Sequence, residues 1–296
     1  MSKLCANGLE IEYESLGDAG LPAILLIMGL GMQLLAWPDA FCQQLLARGF
    51  RVIRFDNRDV GLSARISGKR PRLIWAMLAA QLRLPLHPPY TLSDMADDAI
   101  GLIDGLGIAQ AHVIGASMGG MIAQVLAARF PQRVLSLTSI MSSSGNPRLS
   151  RPKADALRAL LSKPKKPGDA QAVIEHLVRV FGVIGSPAFP ADPVELRERV
   201  VRSVRRGYYP DGVARQLIAV IASGDRRKLL KTIVAPTLVI HGSADPLVPP
   251  EAGRDTQRNI PGAKLMLIDG MGHDLPPALY ARLTEAIAAH CVLHNP

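Results

Sequence analysis

Apolar positions in this chain fall into short runs separated by stretches of helical spacing. Ile11 to Tyr13 and Ala23 to Met28 read as strands. The second run is apolar throughout, as in a strand covered on both faces of a sheet. Gly29-Leu30-Gly31 interrupts it. Trp37 to Arg48 has helical spacing, with Pro38 in its first turn and Gly49 at its end. Phe50 to Phe55 reads as the next strand and Asp56 to Gly61 as a turn-rich loop. Leu92 to Leu106 follows as a helix, with Thr91 or Ser93 able to cap it. Ala111 to Ile114 reads as a short strand, Gly115 to Gly120 as a sharp connection, Met121 to Phe130 as a helix and Val134 to Met141 as a strand. This alternation predicts an α/β protein with a mostly parallel sheet flanked by helices.

The pattern changes from Ser142 to Lys231, where only helical segments are evident. They span Lys153–Ser162, Ala170–Phe181, Pro193–Arg206 and Asp211–Ser223. Strand patterns return at Pro236 to His241 and Lys264 to Ile268, and a last helix covers Pro277 to His290. The expected organisation is a core of residues 1–141 and 232–296, with residues 142–231 inserted as helices before the last strands.

Charge changes this picture in one place. The net charge is +9. Residues 147–232 hold 18 Lys and Arg against 8 Asp and Glu, and the rest of the chain holds 16 against 17. Such a surplus attracts anions or coats solvated helix faces, and we read it as the latter. Aromatic residues are 4% of the chain, too few for a base-stacking platform, so no nucleic-acid partner is expected. Cys5, Cys42 and Cys291 match neither a disulfide framework nor a metal site. Met1 to Gly8 lacks a secretory pattern, and the apolar run Leu21 to Met32 is too short to span a bilayer. The expectation is a cytoplasmic protein without stable membrane insertion; its oligomeric state is left open.

Gly115-Ala116-Ser117-Met118-Gly119 matches G-x-S-x-G between a short strand and a helix. A nucleophile on so tight a bend needs small neighbours two residues either side. Alternatively, Ser117 merely caps the helix. A serine nucleophile needs a base, and the base needs an acid to fix its tautomer. In that order along the chain, Asp245 and His273 each follow a strand end, where ligands bind in open α/β sheets. His112 lies within a strand and reads as packing. His241 reads as ordering its own loop, Asp56 as bracing a turn, and Asp269 and Asp274 as too close to His273 in sequence. The expected catalytic residues are Ser117, Asp245 and His273. The oxyanion donors are then the backbone N–H groups of Met118 and of Leu30, with Gly29 next.

With these residues in place the chain resembles the α/β-hydrolase superfamily. Asp56 to Ser63 is similar to its D-x-R-x-x-G-x-S segment, and Pro246 after Asp245 and Gly272-His273 also match. Within the superfamily the likeness is to bacterial carboxylesterases, including the aclacinomycin methylesterase group, on Met28-Gly29 followed by Trp37-Pro38-Asp39. Many relatives carry His-Gly where this chain has Met28-Gly29, which removes a side-chain brace from the oxyanion loop. Serine at position 117 disfavours the dehalogenases and epoxide hydrolases, which use Asp there.

The resemblance implies that residues 142–231 form a cap (lid) over the site. Leu73 to Leu86 reads as a lid helix lining an acyl pocket, the alternative being a surface that touches lipid. Arg70, Arg72 and Arg83 lie near it in sequence. Gly29, Met32 and Trp75 are expected to touch substrate, with Met118 and Met32 making the pocket apolar. The expected function is a serine esterase acting on a small-molecule carboxylic ester with a hydrophobic part, without metal or cofactor. A peptidase, lactonase, perhydrolase or carbon–carbon hydrolase on the same residues, a non-enzymatic binding protein, and an anion binder resting on the basic insert are the alternatives.

Overall fold

The computed structural model describes residues 1–68, 73–82 and 84–294. Eight strands form one sheet: β1 (Ser2–Ala6), β2 (Leu9–Leu16), β3 (Ala23–Ile27), β4 (Arg51–Phe55), β5 (Ala111–Ala116), β6 (Val134–Ile140), β7 (Thr237–Gly242) and β8 (Lys264–Ile268). Their order is β1-β2-β4-β3-β5-β6-β7-β8. β1 and β2 pair antiparallel, as do β2 and β4, and the remaining pairs are parallel. The helices are α1 (Asp39–Leu46), α2 (Leu73–Gln81), α3 (Leu92–Gly105), α4 (Met118–Arg129), α5 (Ala154–Leu161), α6 (Ala170–Ile184), α7 (Pro193–Arg206), α8 (Pro210–Ser223), α9 (Arg227–Leu230), α10 (Pro250–Asn259) and α11 (Tyr280–Val292).

The continuous apolar runs are divided by the period of two along a strand. Leu25, Ile27, Ile53, Val113 and Leu137 face one way, against Met95, Ala99 and Ile103 of α3 and Ile122 and Leu126 of α4. Ile24, Leu26, Val52, Ile114 and Ile140 face the other way, against Phe41 and Leu45 of α1 and Leu283 and Ile287 of α11. Both sheet faces are thus covered, as the alternation predicts. The cap of α3 is Thr91, whose hydroxyl accepts from Asp94 N–H while the Asp94 carboxylate accepts from Thr91 N–H.

Several elements differ from expectation. β1 was not anticipated: its five residues are mostly exposed and carry little apolar signal. α1 starts at Asp39, with Pro38 at the N-cap rather than in the first turn. The Trp37 carbonyl before it accepts from the Arg54 guanidinium. α4 starts at Met118, so the bend after β5 is sharper than a Gly115–Gly120 loop. α10 was missed because its sequence, PEAGRDTQRN, is polar; Ala252, Gly253 and Thr256 are nevertheless buried.

Between β6 and β7 the described residues contain helices and no strand, as expected for the insert. Its two chain ends meet where Arg226 N–H donates to the Ser144 carbonyl at 2.9 Å and the Arg226 guanidinium reaches the Ser143 carbonyl. Leu230 and Ile233, just beyond, belong to the α3–α4 core layer.

Candidate active site

Ser117 lies at the junction of β5 and α4 with φ 56° and ψ −120°. This is a rare conformation for a residue with a Cβ, and such strain is typical of functional turns. The bend is possible because of its glycines. A Cβ on Gly115 would lie 2.1 Å from the Gly119 carbonyl oxygen, and one on Gly119 would lie 2.1 Å from the Ile27 carbonyl oxygen. Ser117 occupies the N-cap position of α4, yet its side chain makes no capping bond. The simple capping role is thus absent.

Instead, Ser117 Oγ lies 3.0 Å from His273 Nε2. His273 Nδ1 lies 2.7 Å from Asp245 Oδ2. Asp245 Oδ1 accepts from the backbone N–H groups of Leu247 and Val248 at 2.9 and 2.8 Å. These contacts bring Ser117, His273 and Asp245 together in one place, just past the ends of β5, β8 and β7. The carboxylate is buried and fixed, which leaves His273 Nε2 as the acceptor facing the hydroxyl. The His273 loop is held in turn by the end of α6: His273 N–H donates to the Ile184 carbonyl at 2.8 Å, and Gly272 N–H donates to Ser186 Oγ at 2.8 Å.

The other polar groups nearby have separate roles. His241 Nε2 bonds the Val248 carbonyl at 2.8 Å, so this ring orders the loop that carries Asp245. Burial holds the His241 imidazole below its ordinary pKa and so keeps it neutral. Asp274 accepts from Ser186 Oγ, and burial pushes its carboxyl up. Asp269 accepts from Ser243 Oγ at 2.7 Å. His112 is fully buried beside Ser136 Oγ, at 2.8 Å. Cys42 and Cys291 are buried and free, their thiols pushed up to about 12 by burial.

The loop after β3 faces the serine. A Cβ on Gly29 would lie 3.0 Å from the Ser117 Cβ, so the backbone passes very close to Ser117. Among the described residues no acceptor takes the N–H of Leu30 or of Met118. The Met118 side chain, by contrast, is buried in the α3–α4 core layer rather than set in a pocket. Met32 is half-buried against the opposite layer.

The brace missing at Met28 is supplied by other residues. Asn57 Nδ2 donates to the Met28 carbonyl at 2.9 Å. Gly31 N–H donates to Gln216 Oε1 of α8 at 2.8 Å, and Gln216 Nε2 donates to the Arg58 carbonyl at 2.8 Å. Asp56 Oδ1 accepts from Leu34 N–H, and Asp56 Oδ2 pairs with Arg206 of α7 at 2.6 Å. Gln33 Nε2 bonds the Ser203 and Gly207 carbonyls, both at 2.7 Å. Asp56 thus braces its turn, accepting also from Leu62 N–H at 2.9 Å, and in addition ties the loop after β3 to α7. Gln216, Gln33 and Arg206 were not singled out from the sequence. Polar residues within helical spacing read as solvated faces, and nothing local marks them as inward.

The basic surplus is partly absorbed in the same way. Arg215 makes a bidentate pair with Asp59, at 2.7 and 2.9 Å, and Arg206 pairs with Asp56. Arg215 is buried and Arg206 partly so, and both bridge the helices between β6 and β7 to the loop after β4 rather than standing as solvated charges.

The helix over Leu73–Gln81 is present as α2, but its burial is the reverse of an acyl-pocket wall. Ala76 and Ala79 are buried, while Ile74, Trp75 and Leu78 are exposed. Arg70, Arg72 and Arg83 lie outside the described residues. Among the described residues no helix is long and apolar enough to cross a membrane.

The chain is 30% identical over 295 residues to a rhodomycin D methylesterase of Streptomyces peucetius, covering 94% of this chain and 93% of that one. It is 28% identical over 246 residues to 3-oxoadipate enol-lactonase 2 of Acinetobacter baylyi, covering 82% and 79%. Among solved structures it superposes on a meta-cleavage product hydrolase from Pseudomonas fluorescens IP01 with a TM-score of 0.76 at 22% identity, covering 100% of this chain and 98% of the other. The family model of the alpha/beta hydrolase fold matches residues 22–276. With that match across most of its length, on the sheet order and strand-end loops described above, the chain belongs to the alpha/beta hydrolase fold family.

Proposed function

We propose that this protein is a serine hydrolase that cleaves carboxylic esters by way of an acyl-enzyme. The observation that carries the reading is the Ser117–His273–Asp245 chain of contacts, with the serine on a strained turn. His273 Nε2 takes the hydroxyl proton as Ser117 Oγ attacks the carbonyl carbon. Asp245 keeps the imidazole in the Nδ1–H tautomer and stabilises the imidazolium. The oxyanion develops beside the free N–H groups of Met118 and Leu30, with Gly29 allowing the approach. Loss of one such donor typically costs about 3 kcal/mol of barrier. His273 then protonates the leaving alcohol. Water, with its proton taken by His273, hydrolyses the acyl-enzyme and restores Ser117.

The methylesterase relatives favour an ester with a small alcohol, and any hydrophobic part of the substrate then belongs to its acid. In this reading residues 142–231 act as a cap that selects the acid part, and Met32 contributes an adaptable apolar contact to it. A lactone is the second reading, favoured by the enol-lactonase relative, since a lactone is an internal ester open to the same attack.

A fluorophosphonate probe tests the nucleophile. Wild-type protein should label once, at Ser117, and Ser117→Ala should not label. Labelling retained in that variant overturns the assignment. Rates on methyl esters, lactones and anilides of one hydrophobic acid then rank the substrate classes, and the methyl ester should be fastest.

A further inference from the structure

α2 is an unusual surface helix. Ile74, Trp75 and Leu78 are 77%, 53% and 53% exposed, and Leu82 and Leu84 just beyond it are 68% and 50% exposed. The side facing the protein carries Ala76 and Ala79, each 2% exposed. At 100° per residue, Ile74, Trp75, Leu78 and Leu82 fall within an arc of about 100°. Single exposed apolar residues are ordinary, but a contiguous patch of large ones marks a contact surface. The large side chains were placed outward and the small ones inward, against the hydrophobic effect for a helix in water.

Charge indicates what meets this patch. In sequence, residues 60–93, which contain it, include five Lys and Arg and no Asp or Glu; four of the five, Lys69, Arg70, Arg72 and Arg83, lie outside the described residues but within four positions of the helix ends. A twofold contact between copies of this chain would bring two such segments of like charge together, which opposes self-association. An anionic lipid surface offers both complements: acyl chains for the apolar arc and phosphate charge for the basic segment. A Trp on the arc suits the boundary between the two. Nine helical residues are too few to cross a bilayer, so the helix lies in the interface plane. We propose that α2 docks this protein peripherally on an anionic lipid surface, with Ile74, Trp75, Leu78, Leu82 and Leu84 entering the headgroup region. The inference does not depend on the ester reading.

The chain carries its own reporter. Of its two tryptophans, Trp37 is fully buried and only Trp75 meets solvent. Vesicles containing phosphatidylglycerol should shift Trp75 emission to the blue and pellet the protein. Pure phosphatidylcholine vesicles should do so far less, and high salt should reverse most of the binding. Ile74→Gln with Leu78→Gln should weaken partitioning about tenfold or more, with the melting temperature and fluorophosphonate labelling of Ser117 unchanged. Absence of a blue shift on phosphatidylglycerol vesicles overturns the proposal, and so does binding that this folded double variant leaves intact. A blue shift that grows with protein concentration without lipid, together with a dimer mass, also overturns it and assigns the patch to a second copy. The lipid and salt dependence of the wild type decides the matter even if the double variant misfolds.

Discussion

The backbone N–H of Gly31 and the side-chain oxygen of Gln216 are 2.8 Å apart although 185 residues separate them. Gly31 has φ +67°, and Val213 of α8 occupies the space a Cβ there would need. The turn that presents Leu30 N–H is therefore shaped from the insert.

Gln216→Leu keeps the volume but removes both bonds. It leaves Gly31 N–H and the Arg58 carbonyl without their partner, at a cost of about 1–3 kcal/mol for each unsatisfied buried group. We expect kcat to fall roughly tenfold or more, with a smaller change in KM, because in the proposed mechanism this loop serves the oxyanion. Gln216→Glu restores an acceptor for Gly31 and should recover part of kcat. Steady-state kinetics beside a thermal melt separates this from simple unfolding: a lowered melt with unchanged kcat would remove Gln216 from oxyanion positioning.

Asp245→Asn should leave the fold intact and lower kcat by about 10⁴-fold, because an amide no longer selects the Nδ1–H tautomer of His273. Asp245 is buried and also accepts from two backbone N–H groups, so the variant should melt somewhat lower as well. Activity within tenfold of wild type would rule out this carboxylate as the orienting acid.

Gly119→Ala would place a methyl group 2.1 Å from the Ile27 carbonyl oxygen. That atom is β3 backbone and cannot turn aside, so α4 must move from the sheet. Overpacking of this kind typically costs about 1–3 kcal/mol and here should reach the upper end or exceed it. Urea unfolding should show the loss, and fluorophosphonate labelling should slow with it.

Acid should destabilise the protein through histidines that are buried neutral. His290 is held down to about 4 by burial, with the neighbouring His294 ring acting in the same direction. The unfolded chain takes up this proton near the ordinary value of 6.5, and the folded chain takes it up only near 4. Between these values the unfolded state binds more protons, so stability is lost as pH falls through that window, by up to about 1.4 kcal/mol per pH unit per proton. Burial of His241 and His176 acts in the same sense. Denaturant titrations at about pH 7 and about pH 5 should show the drop, and His290→Gln should flatten it by close to one proton.

Much of this was legible in the chain because the signals are local. Ser117, Asp245 and His273 each sit just after an apolar run, and the strained turn at Ser117 is written in Gly115 and Gly119. The two-layer core follows from continuous apolar strands. What was not legible is long-range. Gln216, Arg206 and Arg215 look like the polar side of a helix until the loops at Gly31, Asp56 and Asp59 are placed beside them. The edge strand β1 and the polar helix α10 lack the apolar period that marks an element. α2 shows the opposite problem: its apolar run gives no indication of which side faces the protein.

The link between Gly31 and Gln216 also sets an order of assembly. A ribosome makes the strained serine and the oxyanion loop in the first half of the chain. The residue that shapes that loop comes only with position 216, and the acid and base come later still. In the proposed mechanism, a nascent chain or a proteolytic fragment that stops short of α8 therefore carries the nucleophile without the means to use it. Closing so long a loop costs little more entropy than closing a shorter one, because the cost grows only with the logarithm of length, but such non-local contacts form slowly. Activity in that mechanism therefore requires both the seating of α8 against Gly31 and the later-made loops of Asp245 and His273.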